Sequence, residues 1–183
     1  EAVTQTRHLP ETASKQNIDT LWELHKAQAR AHTTDPRQLI DNIDDLGEHA
    51  RRLDPHFQKV LSFWISGLDG QIMQRKKSKR QMVHQLMSIN YDGSRLCDIL
   101  SGSVDFATIQ GLTTCLNRIR MDERVVLVAV KNYLDVNNPD HTAPDGTHQV
   151  WIYLTIVDNY TMRQVRVQAE DRLDGFICEV KLG

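Results

Sequence analysis

Gln74-Arg75-Lys76-Lys77-Ser78-Lys79-Arg80-Gln81 holds no apolar residue and five positive charges, in a 183-residue chain of net charge −2. Upstream of it, apolar residues recur at helical spacing. Beyond a short transition they alternate or run together, as they do in strands. How this octapeptide is read decides where the helical part of the chain ends.

Ile72 and Met73 precede it, and Met82, Val83, Leu86 and Met87 follow. Those apolar flanks predict one helix over about residues 71–89. Arg75, Lys76, Lys77, Lys79 and Arg80, with His84 one turn on, would then form a cationic helix face. Such a face neutralises phosphates, docks on acidic protein, or pairs with the chain's own carboxylates. No aromatic residue interleaves it, so the mark of single-strand nucleic-acid binding is missing. A continuous amphipathic face for a membrane surface is missing as well.

Working back from there, Asp54-Pro55 and Asp35-Pro36 both read as helix starts, with Asp as N-cap and Pro in the first turn. The upstream helix has an apolar seam of Leu39, Ile43, Leu46, Ala50 and Leu53, and an acidic stripe of Asp41, Asp44, Asp45 and Glu48. The downstream helix, with Phe57, Val60, Leu61, Trp64, Ile65 and Leu68, has the widest apolar stripe in the chain. An earlier helix over about residues 17–32 carries Ile18, Leu21, Trp22, His25 and Ala29 on one face. Residues 1–15 are polar and aperiodic, and read as a flexible arm.

Working forward, Tyr91-Asp92-Gly93-Ser94 reads as a turn, and residues 95–100 fit a short strand or a helical turn equally. Ser103 or Asp105 is positioned to cap a further helix with Phe106, Ile109, Leu112, Leu116 and Ile119 as its seam. Strands are expected at 125–130, 150–157, around Val165 and Val167, and at 176–182, where Phe176, Cys178, Val180 and Leu182 face inward and Glu179 and Lys181 outward. The expected class is α+β: an N-terminal helical cluster, then a three- to four-stranded antiparallel sheet packed against helices. A cystatin-like or NTF2-like layout is compatible with that order. Residues 16–90 form the helical region and 91–183 the helix-plus-sheet region, together one compact domain.

A pI near 6.5 excludes a protein that coats nucleic acid over its whole surface. Cys97, Cys115 and Cys178 form no CxxC pair, so zinc knuckles and thioredoxin-type motifs are excluded. Reduced thiols fit a cytoplasmic protein better than a Cys97–Cys115 disulfide does. No apolar run approaches the ~20 residues of a membrane span, and no signal-peptide pattern occurs in these 183 residues. The chain begins at Glu1 without an initiator Met, and an excised domain or a processed product is the expectation.

Candidate chemistry is sparse. Asp140, His141, Asp145 and His148, in the loop 135–148, offer oxygen and nitrogen ligands for a metal. An EF-hand register starting at Asp135 fails at Pro139 and Asp140, and the His spacing is not that of a zinc protease. Glu179-Val180-Lys181 has the Glu-x-Lys spacing of PD-(D/E)xK nucleases, but needs a second carboxylate that Asp174 is too close to supply. Arg51 and His56 have the spacing of some helical ribonucleases, with Pro55 between them. No Gly-rich phosphate loop, GxSxG or HExxH occurs, none of the cysteines has an adjacent activating His, and no cofactor is expected. The leading expectation is a non-catalytic assembly module whose basic helix docks on an acidic protein surface or a second copy. Nucleic-acid binding through the same helix is the alternative, and a metal-dependent hydrolase or nuclease is the third.

Overall fold

The computed structural model describes residues 36–134, 143, 146–157 and 175–183. The arm, the expected 17–32 helix, the strand around Val165 and most of the 135–148 loop lie outside the described residues.

Within that range, α1 (Ile43–Ile65) is one helix, where two Asp-Pro starts predict two. Its N-cap is Asn42, whose side chain accepts from the Asp44 and Asp45 amides. Pro55 lies inside it. An interior Pro costs about 3 kcal/mol through its lost N–H and its ring clash. The seams on either side of it are in phase, however. Leu46, Ala50, Leu53, Phe57, Val60, Leu61 and Trp64 form one buried stripe. Each large side chain on that stripe contributes about 1.5–3 kcal/mol when buried, so packing outweighs the cost of the proline.

The stretch that opened the reading is not a helix throughout. Gly70–Lys76 is a strand, β1, and helix α2 (Lys79–Ser88) starts only after Ser78. Ser78 caps it with a capping box: its side chain accepts from the Gln81 amide, and Gln81 accepts from the Ser78 amide. The expected helix over 71–89 fails in its first half because β1 pairs along its whole length with β2 (Leu100–Phe106), antiparallel from Gly70↔Phe106 to Lys76↔Leu100. Ser103 and Asp105 are therefore strand residues. The next helix, α3 (Ile109–Met121), is capped by Thr108 instead.

Strands β3 (Val125–Asn132), β4 (Val150–Ile156) and β5 (Ile177–Leu182) complete a five-stranded sheet in the order β1-β2-β5-β4-β3. The α+β class holds. The sheet is mixed rather than antiparallel throughout, because the last strand inserts beside β2 in parallel. It is thereby central, which explains why Cys178, Val180 and Leu182 are fully buried.

One face of the sheet packs on α1 and α3. Phe57, Leu61 and Trp64 of α1 and Leu112, Cys115 and Ile119 of α3 meet Leu100, Val104, Ile152, Leu154, Cys178 and Val180 in one core. Gly102 makes room for Leu61: a Cβ there would lie 2.6 Å from Leu61 Cδ1. The opposite face carries a smaller cluster of Cys97, Ala143, Trp151, Tyr153 and Ile177. Among the described residues, no helix is long and apolar enough to cross a membrane.

Candidate active site

Register places the chemistry. Side chains opposite one another on paired strands share a face. On the face away from α1 and α3, one cross-strand row reads Arg75, Ser101, Glu179, Tyr153 and Ala129. The next row reads Met73, Ser103, Lys181, Trp151 and Lys131. Asp98 and Lys77 stand at the head of these rows, just before β2 and just after β1, tied by Lys77 N–H donating to the Ile99 carbonyl at 2.8 Å. An open cavity of about 330 Å³ lies here. Its walls are Asp98, Glu179, Tyr153, Trp151 and Lys131 from the sheet side, with Gln85 of α2, and Pro36, Arg95 and Cys97 at the rim.

Pro36 and its neighbours are held there by the preceding segment. Gln38 is buried, donates to the Leu96 and Ile177 carbonyls, and accepts from the Ile177 amide at 2.8 Å. A buried amide with its groups paired fixes the segment's position at the rim.

Two carboxylates define the site. Lys77 Nζ donates to Asp98 Oδ2 and to Gln85 Oε1. The other oxygen, Asp98 Oδ1, is buried and has no hydrogen-bond partner among the described residues. Glu179 is only 5% exposed. Burial pushes its carboxyl above the ordinary range; Lys181 draws it back, Asp98 raises it further, and a hydrogen bond from Tyr153 and the charge of Lys77 lower it. The Tyr153 phenol is pushed up by burial first and then by the charge of Glu179.

A buried carboxylate oxygen without a donor, beside a second buried carboxylate, fits a divalent cation. Among the described residues no three His, Cys, Asp or Glu side chains converge. Two carboxylates suit magnesium, which takes one or two from protein and the rest of its shell from water and phosphate oxygens. Lys77 donates to Asp98, and Arg95 and Lys131 line the same cavity, so positive charge stands in the site beside the carboxylates.

Cys97 lines the same cavity, yet burial and the neighbouring Asp98 push its thiol up to about 12. It stays a neutral S–H, donating to the Pro36 carbonyl at 3.2 Å, and is no nucleophile. Cys115, pushed up to about 12, and Cys178 are buried likewise.

The cationic residues expected on one helix face are dispersed. Lys77 enters the site. Arg75 is exposed on the sheet face beside Ser101. Lys76 turns to the other side and pairs with Asp54 at 2.8 Å. Lys79 pairs with Asp44 at 2.6 Å, one member of the acidic stripe. Arg80 and His84 are exposed on α2. Of the metal candidates, Asp140, His141 and Asp145 lie outside the described residues, and His148 is exposed with Nδ1 3.4 Å from the Tyr133 carbonyl oxygen.

The sequence reading missed Asp98, Arg95, Lys131, Tyr153 and Trp151 as site residues. A signal existed for Glu179: a carboxylate on a strand whose neighbours are otherwise apolar is costly unless it has a use. The second carboxylate it needs comes from Asp98, about eighty residues earlier, which spacing alone does not reveal.

No family model and no curated protein matches the sequence. Solved structures do resemble the fold. Small alarmone synthetase 2 from Bacillus subtilis is 18% identical over 71% of this chain and 63% of its own, with a TM-score of 0.50. Small alarmone synthetase 1 from the same organism is 6% identical over 76% of this chain and 68% of its own, with a TM-score of 0.51. The latter enzyme bound to its product pppGpp gives 0.49, at 9% identity over 73% of this chain and 72% of that one. The chain thus spans 63% of the length of synthetase 2. At these identities the likeness is one of fold, and the solved proteins that share it are enzymes. It overturns the expectation of a non-catalytic assembly module docking through a basic helix, a helix that is half strand. The nucleic-acid alternative rested on the same helix and falls with it.

Proposed function

We propose that this chain is a group-transfer enzyme of the small alarmone synthetase kind, moving a phosphate-containing group from one nucleotide onto another. The observation that carries the proposal is the Asp98–Glu179 carboxylate pair, with Asp98 Oδ1 unpartnered among the described residues and Oδ2 held by Lys77, in a cavity that Arg95 and Lys131 also line. The fold shared with synthetases 1 and 2 supports it.

In this reading Asp98 and Glu179 would hold a divalent cation, and the chemistry it would supply is neutralisation of phosphate charge. Lys77 leaves its contact with Asp98 Oδ2 or shares it with a phosphate oxygen, keeping positive charge where phosphates enter. Arg95 and Lys131 meet the phosphates from the rim and from β3. Tyr153 donates to Glu179 and orients its carboxylate. The burial of Glu179, Tyr153 and Trp151 excludes water from one side of the reacting groups. Free, buried Cys97, Cys115 and Cys178 fit a reducing compartment such as the cytoplasm.

The test is incubation with pairs of nucleoside di- and triphosphates, each with magnesium or manganese, and products resolved by ion-exchange chromatography and mass spectrometry. A product of one nucleotide carrying additional phosphates is expected, lost in Asp98→Asn. Absence of both turnover and nucleotide binding for every pair sinks the proposal.

A further inference from the structure

Asp98 reaches the cavity from the lead-in to β2 and Glu179 from β5, and each stands two residues beyond a backbone group that Gln38 holds. The Gln38 side chain donates to the Leu96 carbonyl at 3.1 Å and to the Ile177 carbonyl at 3.0 Å, and accepts from the Ile177 amide at 2.8 Å. Its NH2 group and its oxygen are thus spent on one bridge between the two segments. Paired with both backbone groups of Ile177, it bonds as the peptide of a neighbouring strand would. The β2–β5 ladder itself begins only at Ser101↔Glu179. Asp98 lies before that first rung.

On its other flank the lead-in is tied to β1, through the Lys77 amide to the Ile99 carbonyl and the Lys77 ammonium to Asp98. Toward β5 the tie is Gln38, and it is delivered by a braced segment. Gln38 N–H donates to the Ser94 carbonyl at 2.6 Å, and Arg37 donates to Asp92 at 2.7 Å. Gly93 packs so closely on this segment that a Cβ there would lie 1.9 Å from the Asp41 carbonyl oxygen. Gln38 is buried and does not line the cavity, so it acts on a ligand only through the groups it holds.

The residue type suits that task. Two carboxylates on one cavity wall repel, and Asp98 is near enough to raise the Glu179 carboxyl. A lysine or arginine in the bridge would hold the segments together but would also neutralise the pair. A primary amide supplies two donors and an acceptor without charge. It draws the two backbones together and leaves both carboxylates to a cation.

We propose that Gln38 is a positioning residue, whose buried amide sets the spacing of Asp98 and Glu179 so that one divalent cation meets both. This rests on the reading of that pair as a cation site, and makes Gln38 part of the support for the site rather than of the rim alone.

Manganese chloride alone is the probe, its binding to the full chain followed by electron paramagnetic resonance for wild type, Gln38→Met, Asp98→Asn and Asp122→Ala. Circular dichroism checks that each variant folds, and Gln38→Asn, an amide one methylene too short, serves if Gln38→Met does not. Asp122→Ala loosens the fold away from the cavity. Loss of a group that orients metal-binding carboxylates is expected to weaken manganese affinity about tenfold or more in the Gln38 variant, against within about twofold in Asp122→Ala. A reciprocal readout needs no variant: magnesium chloride should slow exchange of the Ile177 amide in wild type more than exchange of the α3 amides. Unchanged manganese affinity in the folded Gln38 variant, an equal loss in Asp122→Ala, or no selective slowing at Ile177 each overturns the inference alone. Wild type that binds no manganese, or binds it no better than Asp98→Asn does, overturns the cation reading and this inference with it.

Discussion

Glu179 is expensive to place where it is. Its carboxyl is pushed up chiefly by burial, so the folded chain holds that proton more tightly than the unfolded chain does. The stability this contributes is complete below the ordinary value of 4.5 and drains away as pH rises through the raised folded value. Chemical denaturation of wild type from pH 4.5 upward should show that decline, and Glu179→Gln, which cannot ionise, should flatten it and unfold later at neutral pH. Activity should move the other way. Asp98→Asn and Glu179→Gln are each expected to lower turnover about 10²–10³-fold, because charge neutralisation in a partly dry site is among the largest catalytic terms. Magnesium titration of the variants should show weakened metal dependence in parallel. A gain in stability coupled to a loss of activity at one residue marks a group kept for chemistry rather than for packing.

At the scale of elements, single side chains hold the layers in register. Asp54, midway along α1, accepts from Gln74 and from Lys76 of β1, fastening the edge strand to the helix. Its expected role as a helix N-cap yields to that bridging one. Asp122 does the same for α1 and α3. It ends α3 and accepts from Trp64 Nε1 at 2.8 Å and from both the backbone and guanidinium of Arg124. Burial raises the Asp122 carboxyl, yet the bonds from Arg124 and Trp64 outweigh it and hold it below the ordinary range. Its contribution is thus present above pH 3.8 and is lost as pH falls through the lowered value. Asp122→Ala should cost about 1.5–3 kcal/mol in urea unfolding at neutral pH, the range for hydrogen bonds to a charged group, and shift the acid transition. Asp54→Ala, with one exposed and one partly buried partner, should cost about 1 kcal/mol and loosen β1 selectively, read as faster amide exchange over residues 70–76.

The whole molecule rests on the layer between the sheet and α1 with α3. Phe57 is fully buried at its centre. Phe57→Ala should destabilise the chain by about 3–5 kcal/mol through lost transfer energy and the cavity left behind. Met87→Ser, on the exposed face of α2 at 61% exposure, should stay within about 0.5 kcal/mol. Thermal melts of the two variants side by side separate a load on the core from a change at the surface.

Much of this architecture was legible locally. Apolar residues repeat at helical spacing through α1, and β4 and β5 alternate between faces, because both patterns are set by neighbours a few residues apart. A capping box, Ser78 to Gln81, was also present and marks the start of α2. What local pattern could not show is that Gly70–Lys76 is a strand. Its partner, Leu100–Phe106, lies beyond a helix and a turn, and its own side chains are too polar to alternate visibly. Likewise Pro55 reads as a boundary until packing against the sheet supplies the energy to carry a helix through it. Asp98 is unremarkable in sequence, and it meets Glu179 only because the last strand inserts between β2 and β4. By itself, then, the sequence determined the class, the apolar stripe of α1 from Leu46 to Trp64 and the alternation of Cys178, Val180 and Leu182 toward the core, since these follow from backbone periodicity; it put Leu39 in the seam and Glu179 outward, whereas Leu39 is exposed and Glu179 buried. Tertiary structure alone decided the sheet order, the division of the basic octapeptide between strand and helix, and the site. Those depend on pairings across tens of residues, where hydrogen bonding and burial override local preference.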